Sequence, residues 1–517
     1  MQLTEAMLKR FIHSCIFLLL SLCVWSGATG ASPNIIVILA DDLGYSDIGC
    51  YGGEIDTPNL DRLAADGVRY SNFYNTSKCW TTRASLLTGQ YYQHVTIGNG
   101  LKPDTITIAG RLKDAGYGTY LSGKWHLDEN RHEDPSRNPL AFGFDHYFGN
   151  LHGAVSYFNP YTLMRGTDSA EGEITDDFYL TDAISDEAVR NVHHHFAANE
   201  EKPLFLYLSY TAPHWPLHAL PEDIAKYRTR YDGKRFSEIR NARFKRMNEL
   251  GVLPQGTAFS EGTHQPWSEV DSKWHTESMA VYAAMLDRMD QGIGRVIKAL
   301  EETGQLENTL ICFFADNGGC HEGIGQKNGL SCLGGEAVTR DGRSITISGN
   351  EMPGDETTFQ GYGPNWANVS NTPYRYHKST SYEGGIRSPF ILYWPAGVSE
   401  EKKGTVDHSL ISHLIDLSPT FLQLADQSVP ESMDGVSLVD QWSGRSDANP
   451  ERILFNDFGP GSAMYDYPWK FVRFKNNTEL YNLKSDPSET QDLAKDHPSR
   501  FLAMTEALEK WKTSFGD

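Results

Sequence analysis

Four runs of apolar residues punctuate the chain, and three of them stop abruptly at polar clusters. Asn34–Ala40 is continuous, β-branched and apolar, the pattern of a strand buried on both faces of a parallel sheet. It ends in Asp41-Asp42-Leu43-Gly44. Thr309–Ala315 has the same character and ends in Asp316-Asn317-Gly318-Gly319. Leu204–Ser209 runs into Ala212-Pro213-His214, and Phe390–Trp394 supplies a fourth strand. Between them, apolar residues recur at helical spacing over Leu60–Asp66, Ile108–Ala115, Ser278–Thr303 and Leu410–Ala425. Strands alternating with helices predict an α/β fold, a large and mostly parallel sheet sandwiched by helices. In such sheets ligands sit beyond the carboxyl ends of the strands, where these polar clusters lie.

The pattern changes at both ends. Lys9 and Arg10 precede the apolar run Phe11–Trp25 and a small-residue exit, so residues 1–31 read as a signal peptide. The run is short for a membrane span and no later stretch is long enough, which predicts an exported protein without stable membrane association. Beyond residue 445, Trp469–Phe474 alternates, Glu479–Leu483 follows a turn, and Arg500–Phe515 is amphipathic. This predicts a small C-terminal antiparallel sheet with one helix over 446–517, after a main domain spanning 32–445. Residues 334–371 are rich in Gly, Asn, Asp and Thr and read as an insertion or lid near the site.

Charge narrows the partners. A formal net charge of −21 disfavours nucleic acid and anionic membranes, though a local cationic pocket could still hold a small anion. Of seven cysteines, five follow the leader: Cys50, Cys79, Cys312, Cys320 and Cys332. An odd count in an exported protein flags one thiol with a separate task. Cys320 and Cys332 are close enough in sequence for a loop disulfide, but spacing alone does not pair them.

Asp41, Asp42, Asp316 and Asn317 supply three carboxylates and one amide, hard oxygen donors suited to Ca²⁺, with Mg²⁺ the alternative. Either cluster alone reads as an ordinary turn after a strand; two of them at the ends of buried strands point to a metal. The segment Ser77-Lys78-Cys79-Trp80-Thr81-Thr82-Arg83, running on to Thr88-Gly89, opens a helix on a cysteine with an arginine one turn later. A helix N-terminus and a nearby cation stabilise negative charge on a reacting group, whereas an isolated cysteine there is usually structural.

This segment resembles the type I sulfatase signature, Cys-x-Pro/Ala-x-Arg followed by Thr-Gly, of the alkaline phosphatase superfamily. Neighbouring blocks are similar too and stand in the family's order: Asn34–Gly44, Gly123-Lys124-Trp125-His126, Pro213-His214-Trp215-Pro216, Ala315–Gly318 and Tyr382-Glu-Gly-Gly-Ile-Arg387. Trp366–Pro373 looks like the arylsulfatase branch. The resemblance implies an alkaline phosphatase-like fold and a sulfuric ester hydrolase acting on small-molecule or carbohydrate sulfate esters. It implies that a formylglycine-generating enzyme converts Cys79 to formylglycine, whose hydrate attacks sulfur and then expels sulfate, with Asp41, Asp42, Asp316 and Asn317 on the metal. By the same resemblance Arg83 stabilises the nucleophile, Lys124 and Lys378 bind sulfate oxygens, His126 assists elimination and His214 protonates the leaving oxygen. Thr81 departs from the signature's Pro or Ala within the stretch that the maturing enzyme reads.

Two other readings stand beside this one. A phosphatase, phosphodiesterase or phosphonate hydrolase of the superfamily would add a second metal with more Asp and His ligands, which the sequence lacks. An inactive binding relative would keep the pocket without turnover. His193–His195 and the basic run from Lys226 to Arg246 read as solvated helix faces, the latter with the alternative of meeting a sulfated substrate, and Asn75, Asn368 and Asn476 head sequons.

Overall fold

The computed structural model describes residues 32–128, 130–198, 201–349 and 351–515. The leader predicted over 1–31 lies outside the described residues. Among those described, no helix is long and apolar enough to cross a membrane.

Seven strands carry the main sheet: β1 Asn34–Ala40, β2 Val68–Tyr74, β3 Gly118–Gly123, β4 His146–Asn150, β5 Leu204–Ser209, β6 Thr309–Ala315 and β7 Arg387–Tyr393. Their order is β2-β7-β6-β1-β5-β3-β4, extended at both edges by two-to-three-residue strands. β6, β1, β5, β3 and β4 are mutually parallel. β7 is antiparallel to both β6 and β2, so the fourth predicted strand is the one of these seven that runs backwards.

The continuous apolar run of β1 is explained by two cores. Ile36, Ile38 and Ala40 join the cluster on one face, packed under the long Ser272–Glu302 helix and Leu180–Ala198. Ile35, Val37 and Leu39 join the cluster on the other, with the helices Cys79–Thr88, Ile108–Asp114 and Leu417–Leu424. Period-two geometry sends alternate side chains to opposite faces, so a strand covered on both sides must be apolar throughout. Each such aliphatic side chain contributes about 1.5–3 kcal/mol by leaving water.

The C-terminal sheet is antiparallel, β8 Leu454–Phe458, β9 Gly461–Asp466, β10 Trp469–Phe474 and β11 Asn477–Asn482 in sequential order. One face packs Met464, Phe471 and Leu480 under Met504 and Leu508 of the Pro498–Thr513 helix. The other packs Ala463, Tyr465 and Val472 against Tyr74, Tyr382 and Ile386 of the main body.

Several local expectations are revised. The predicted helix over 410–425 is helical only from Leu417, because Ser412–His413 pairs with β2 and a 3₁₀ turn intervenes. The insertion is no free lid along its whole length: residues 363–370 form a helix whose Trp366 is fully buried, its ring edge-on to Phe236. His195 is a core residue, with Nε2 2.7 Å from the Lys202 carbonyl, while His193 and His194 are exposed. Arg240 and Arg243 of the basic run are buried, and Arg243 pairs with Asp47 and Glu54. Asn75 and Asn368 are buried and closed to glycosylation in the folded chain; Asn476 is exposed. The five described cysteines are all free thiols, so Cys320 and Cys332 are unpaired.

Candidate active site

Asp41 and Asp42 follow β1, Lys124 follows β3, His214 lies beyond β5, and Asp316 and Asn317 follow β6. Parallel strands deliver all of these to one edge of the sheet. Because β7 runs the other way, the residues that precede it reach the same edge, and these include Lys378. β2 runs parallel to the central strands, so the Cys79–Thr88 helix that follows it starts there too. Topology thus collects side chains separated by more than 300 positions in the sequence.

Two glycines permit the close approaches. Gly123 has φ +117 and a Cβ there would fall 1.9 Å from the Ser209 carbonyl oxygen, so β3 can turn sharply into Lys124 only without a side chain. Gly318 donates its N–H to the Gly385 carbonyl at 3.0 Å, and a Cβ would strike the Gly384 oxygen. The Asp-Asn-Gly-Gly and Tyr-Glu-Gly-Gly segments therefore pack backbone to backbone.

The acidic core is fully buried. The carboxylate oxygens of Asp41 and Asp316 and the Cys79 Sγ lie within 4.8 Å of one another, as do ligand atoms of Asp41, Asp42 and His214. Asp42, held at φ 65, takes the Asp316 Oδ1 on its backbone N–H at 3.0 Å and the Asn317 Nδ2 on its own Oδ1 at 2.7 Å. Asp41 Oδ1 and Asn317 Oδ1 are buried acceptors with no hydrogen-bond partner. Orphaned buried oxygens are costly, and two of them beside three carboxylates are the environment a hard divalent cation satisfies. The four predicted metal residues thus converge, and their donor set fits Ca²⁺ or Mg²⁺.

Cations enclose this acidity. Lys124 Nζ contacts Asp41 Oδ2, and Arg83 Nη2 lies 3.4 Å from Asp41 and 3.5 Å from Asp316. Arg83 is further fixed by Ser209 and by the Lys124 carbonyl at 3.0 Å. Lys378 Nζ sits 2.7 Å from Asp42 Oδ1 and 3.4 Å from His214 Nε2. Burial alone would raise Asp41, but Lys124, His214 and Arg83 hold its carboxyl well below the usual range. Burial would likewise lower Lys378, yet Asp42 keeps it firmly protonated. Asp316 goes the other way: burial and the adjacent Asp41 charge push it up. His214 donates Nδ1–H to the Trp215 carbonyl at 2.6 Å, which leaves Nε2 facing Asp42 and Lys378. Burial pulls it down to about 4. His126, at φ 58, is pulled down by burial and by Lys124 and Arg83, and its Nδ1 has no partner.

Cys79 is the first residue of its ten-residue helix, is buried, and lines a cavity of about 440 Å³. His126, His214 and Lys378 also line it. Burial pushes the thiol up, even against Lys378, Lys124 and Lys78. Thr81 is buried and occupied: its hydroxyl donates to the Lys78 carbonyl at 2.7 Å and meets Thr76. Thr82 donates to the Asp316 carbonyl at 2.6 Å and ties the helix to β6.

The cavity contains groups that sequence reasoning missed. Glu322 pairs with Lys78, lies 3.9 Å from Lys378, and accepts from Trp215 Nε1 at 3.4 Å. Its charge lies five residues past Asn317 in a loop without periodicity, so no local signal marked it. Lys78 had a signal, adjacency to Cys79, that went unused. His152, pulled to about 4 by burial and His132, also lines the wall.

A family model described as Sulfatase matches residues 33–427, and one described as N-sulphoglucosamine sulphohydrolase, C-terminal, matches residues 374–513. The chain is 34% identical over 429 residues to the Arylsulfatase of Klebsiella aerogenes, covering 76% of this chain and 86% of that one. It is 26% identical over 548 residues to the N-acetylgalactosamine-6-O-sulfatase of Bacteroides thetaiotaomicron, covering 94% of each. Among solved structures, Ps i-CgsB in complex with k-i-k-neocarrahexaose matches with a TM-score of 0.66 at 27% identity over 93% of each chain.

Proposed function

The chain belongs to the sulfatase family, and from that premise we propose that it hydrolyses sulfate monoesters of carbohydrates or aryl alcohols at a formylglycine made from Cys79. The observation that carries the proposal is the position of Cys79 Sγ within 4.8 Å of the Asp41 and Asp316 carboxylates, with Lys378 lining the same cavity. A thiol whose protonation is favoured by burial is a poor nucleophile near neutral pH, which supports a modified side chain there rather than a thiolate. Formylglycine supplies a hydrated aldehyde as nucleophile. A divalent cation held by Asp41, Asp42, Asp316 and Asn317 supplies Lewis acidity toward a sulfate oxygen.

The remaining roles fall to the chain's own groups. Lys124 and Lys378 bind the sulfate oxygens and stabilise charge as it develops on them. Arg83 holds Asp41 and Asp316 in register and favours negative charge at position 79. His214, fixed through Nδ1, presents Nε2 to the ester oxygen and delivers a proton once the bound ester's negative charge favours the imidazolium over the neutral ring. His126 takes up the proton released when sulfate departs. Both three-residue clusters that could hold a metal share Asp41, so among the described residues they form one site, which suits a sulfate ester better than a two-metal phosphatase. The N-acetylgalactosamine-6-O-sulfatase among the similar proteins and the neocarrahexaose bound in a similar structure favour a carbohydrate ester. We further propose export after cleavage of residues 1–31, and a division into a catalytic domain at 32–445 and a small subdomain at 446–517.

The test is mass spectrometry of the peptide spanning Cys79, on protein from cells that supply a formylglycine-generating enzyme, beside sulfate release from an aryl sulfate. The expected result is an aldehyde mass in the active protein. Full activity with an unmodified thiol refutes the assignment.

A further inference from the structure

Beyond the buried cluster, the cavity wall decides what may be attached to the sulfate. Among the described residues lining it, the full charges are Lys78, Lys378 and Glu322. Neither lysine is spare: Lys378 sits 2.7 Å from Asp42 and serves the reacting sulfate, and Lys78 pairs with Glu322. Burial would raise Glu322, but Lys378 and Lys78 hold it well below the usual carboxylate range, so it is ionised. Its Oε1 is taken by Lys78 and its Oε2 accepts from Trp215 Nε1 at 3.4 Å, so its charge neutralises Lys78 at the cavity wall. The rest of the wall is uncharged. Asn99, Asn328 and Ser331 offer neutral hydrogen-bonding groups, and the half-buried rings of Trp80 and Trp215 offer apolar faces.

This is a wall for sugar hydroxyls and ring faces, and among the described residues lining it every charge is already paired, Lys78 with Glu322 and Lys378 with Asp42. A second sulfate or a carboxylate on the leaving sugar would be desolvated near Glu322 with nothing to pair it, which costs heavily in a shielded site. The net charge of −21 adds to the repulsion of a polyanionic chain. We propose that this cavity accepts a singly sulfated, otherwise neutral sugar, and that Glu322 is the specificity-determining residue that turns away a second anionic group. The proposal rests on the sulfatase reading above.

The experiment uses the full chain with its aldehyde content measured, and compares kcat/KM for sulfate release from three probes. These are a monosulfated hexoside, the same hexoside with a second sulfate, and a monosulfated uronide; an aryl sulfate serves as control. The expected result is a preference for the monosulfated hexoside of at least about tenfold, shrinking by about tenfold in Glu322→Gln through faster turnover of the doubly charged probes. Equal or faster turnover of the doubly charged probes by the unaltered protein overturns the proposal. So does a preference that Glu322→Gln leaves unchanged. Those outcomes, with the aryl sulfate still cleaved, overturn this inference alone. No sulfate release from any probe, aryl sulfate included, despite full aldehyde content overturns the sulfatase reading beneath it.

Discussion

Glu489 should make the folded chain lose stability as pH rises through the weakly acidic range. It is fully buried, with Oε1 2.6 Å from Lys470 Nζ on β10 and Oε2 accepting from the Glu383 backbone at 2.8 Å. Lys470 also pairs with Glu383 at 2.8 Å, and Arg387 lies 3.0 Å from Glu383. Tyr465 and Tyr74 donate to the same Glu383 carboxylate. With the cations and hydroxyls gathered on it, Glu383 is held low, against its burial, by Lys470 and Arg387. Glu489 shares only Lys470, so burial and the Glu383 charge push it from 4.5 up to about 7. Below the lower value, folded and unfolded chains both carry the proton. Between the two, only the folded chain keeps it, and stability therefore falls as pH rises across that window. A shift of this size is worth about 3 kcal/mol. Glu489→Gln keeps the amide's volume without the titration. Urea denaturation of both proteins should show the variant gaining on the parent by up to about 3 kcal/mol between about pH 4.5 and about pH 8, with unchanged slopes. A difference that stays flat across the window refutes the reasoning.

Two further outcomes test the site. Asp316→Ala removes one of three carboxylates around the orphaned oxygens of Asp41 and Asn317, so bound divalent metal and sulfatase activity should vanish together. Stoichiometric metal by elemental analysis would remove Asp316 from the ligand set. Lys378→Met should lower kcat/KM on an aryl sulfate by about 10²–10³-fold with the aldehyde still formed, the usual loss for one donor to developing oxyanion charge. A loss smaller than about threefold would take Lys378 out of sulfate binding.

Much of the fold is dictated locally. The seven-residue apolar runs at Asn34 and Thr309 could be stable only as strands covered on both faces, and the acids that end them had to lie at one edge of a parallel sheet. The alternation at Trp469–Phe474 likewise specified a sheet with two differently occupied faces. The linked motifs around Cys79, Lys124, His214 and Asp316 indicated the family before any coordinate. Periodicity, however, carries no information about direction or about partners hundreds of residues away. That β7 runs antiparallel, and so brings Lys378 rather than its own following residues to the site, is decided by strand pairing. That Trp366 fills the core beneath a polar, glycine-rich insertion is decided by packing against Phe236. Glu322 and Lys78 become one pair over the cavity, and Glu383, Lys470 and Glu489 one buried network, only when the loops carrying them close. A charge has no pattern in sequence that distinguishes a solvated face from a buried pair; burial and the neighbour supplied by the fold settle which it is.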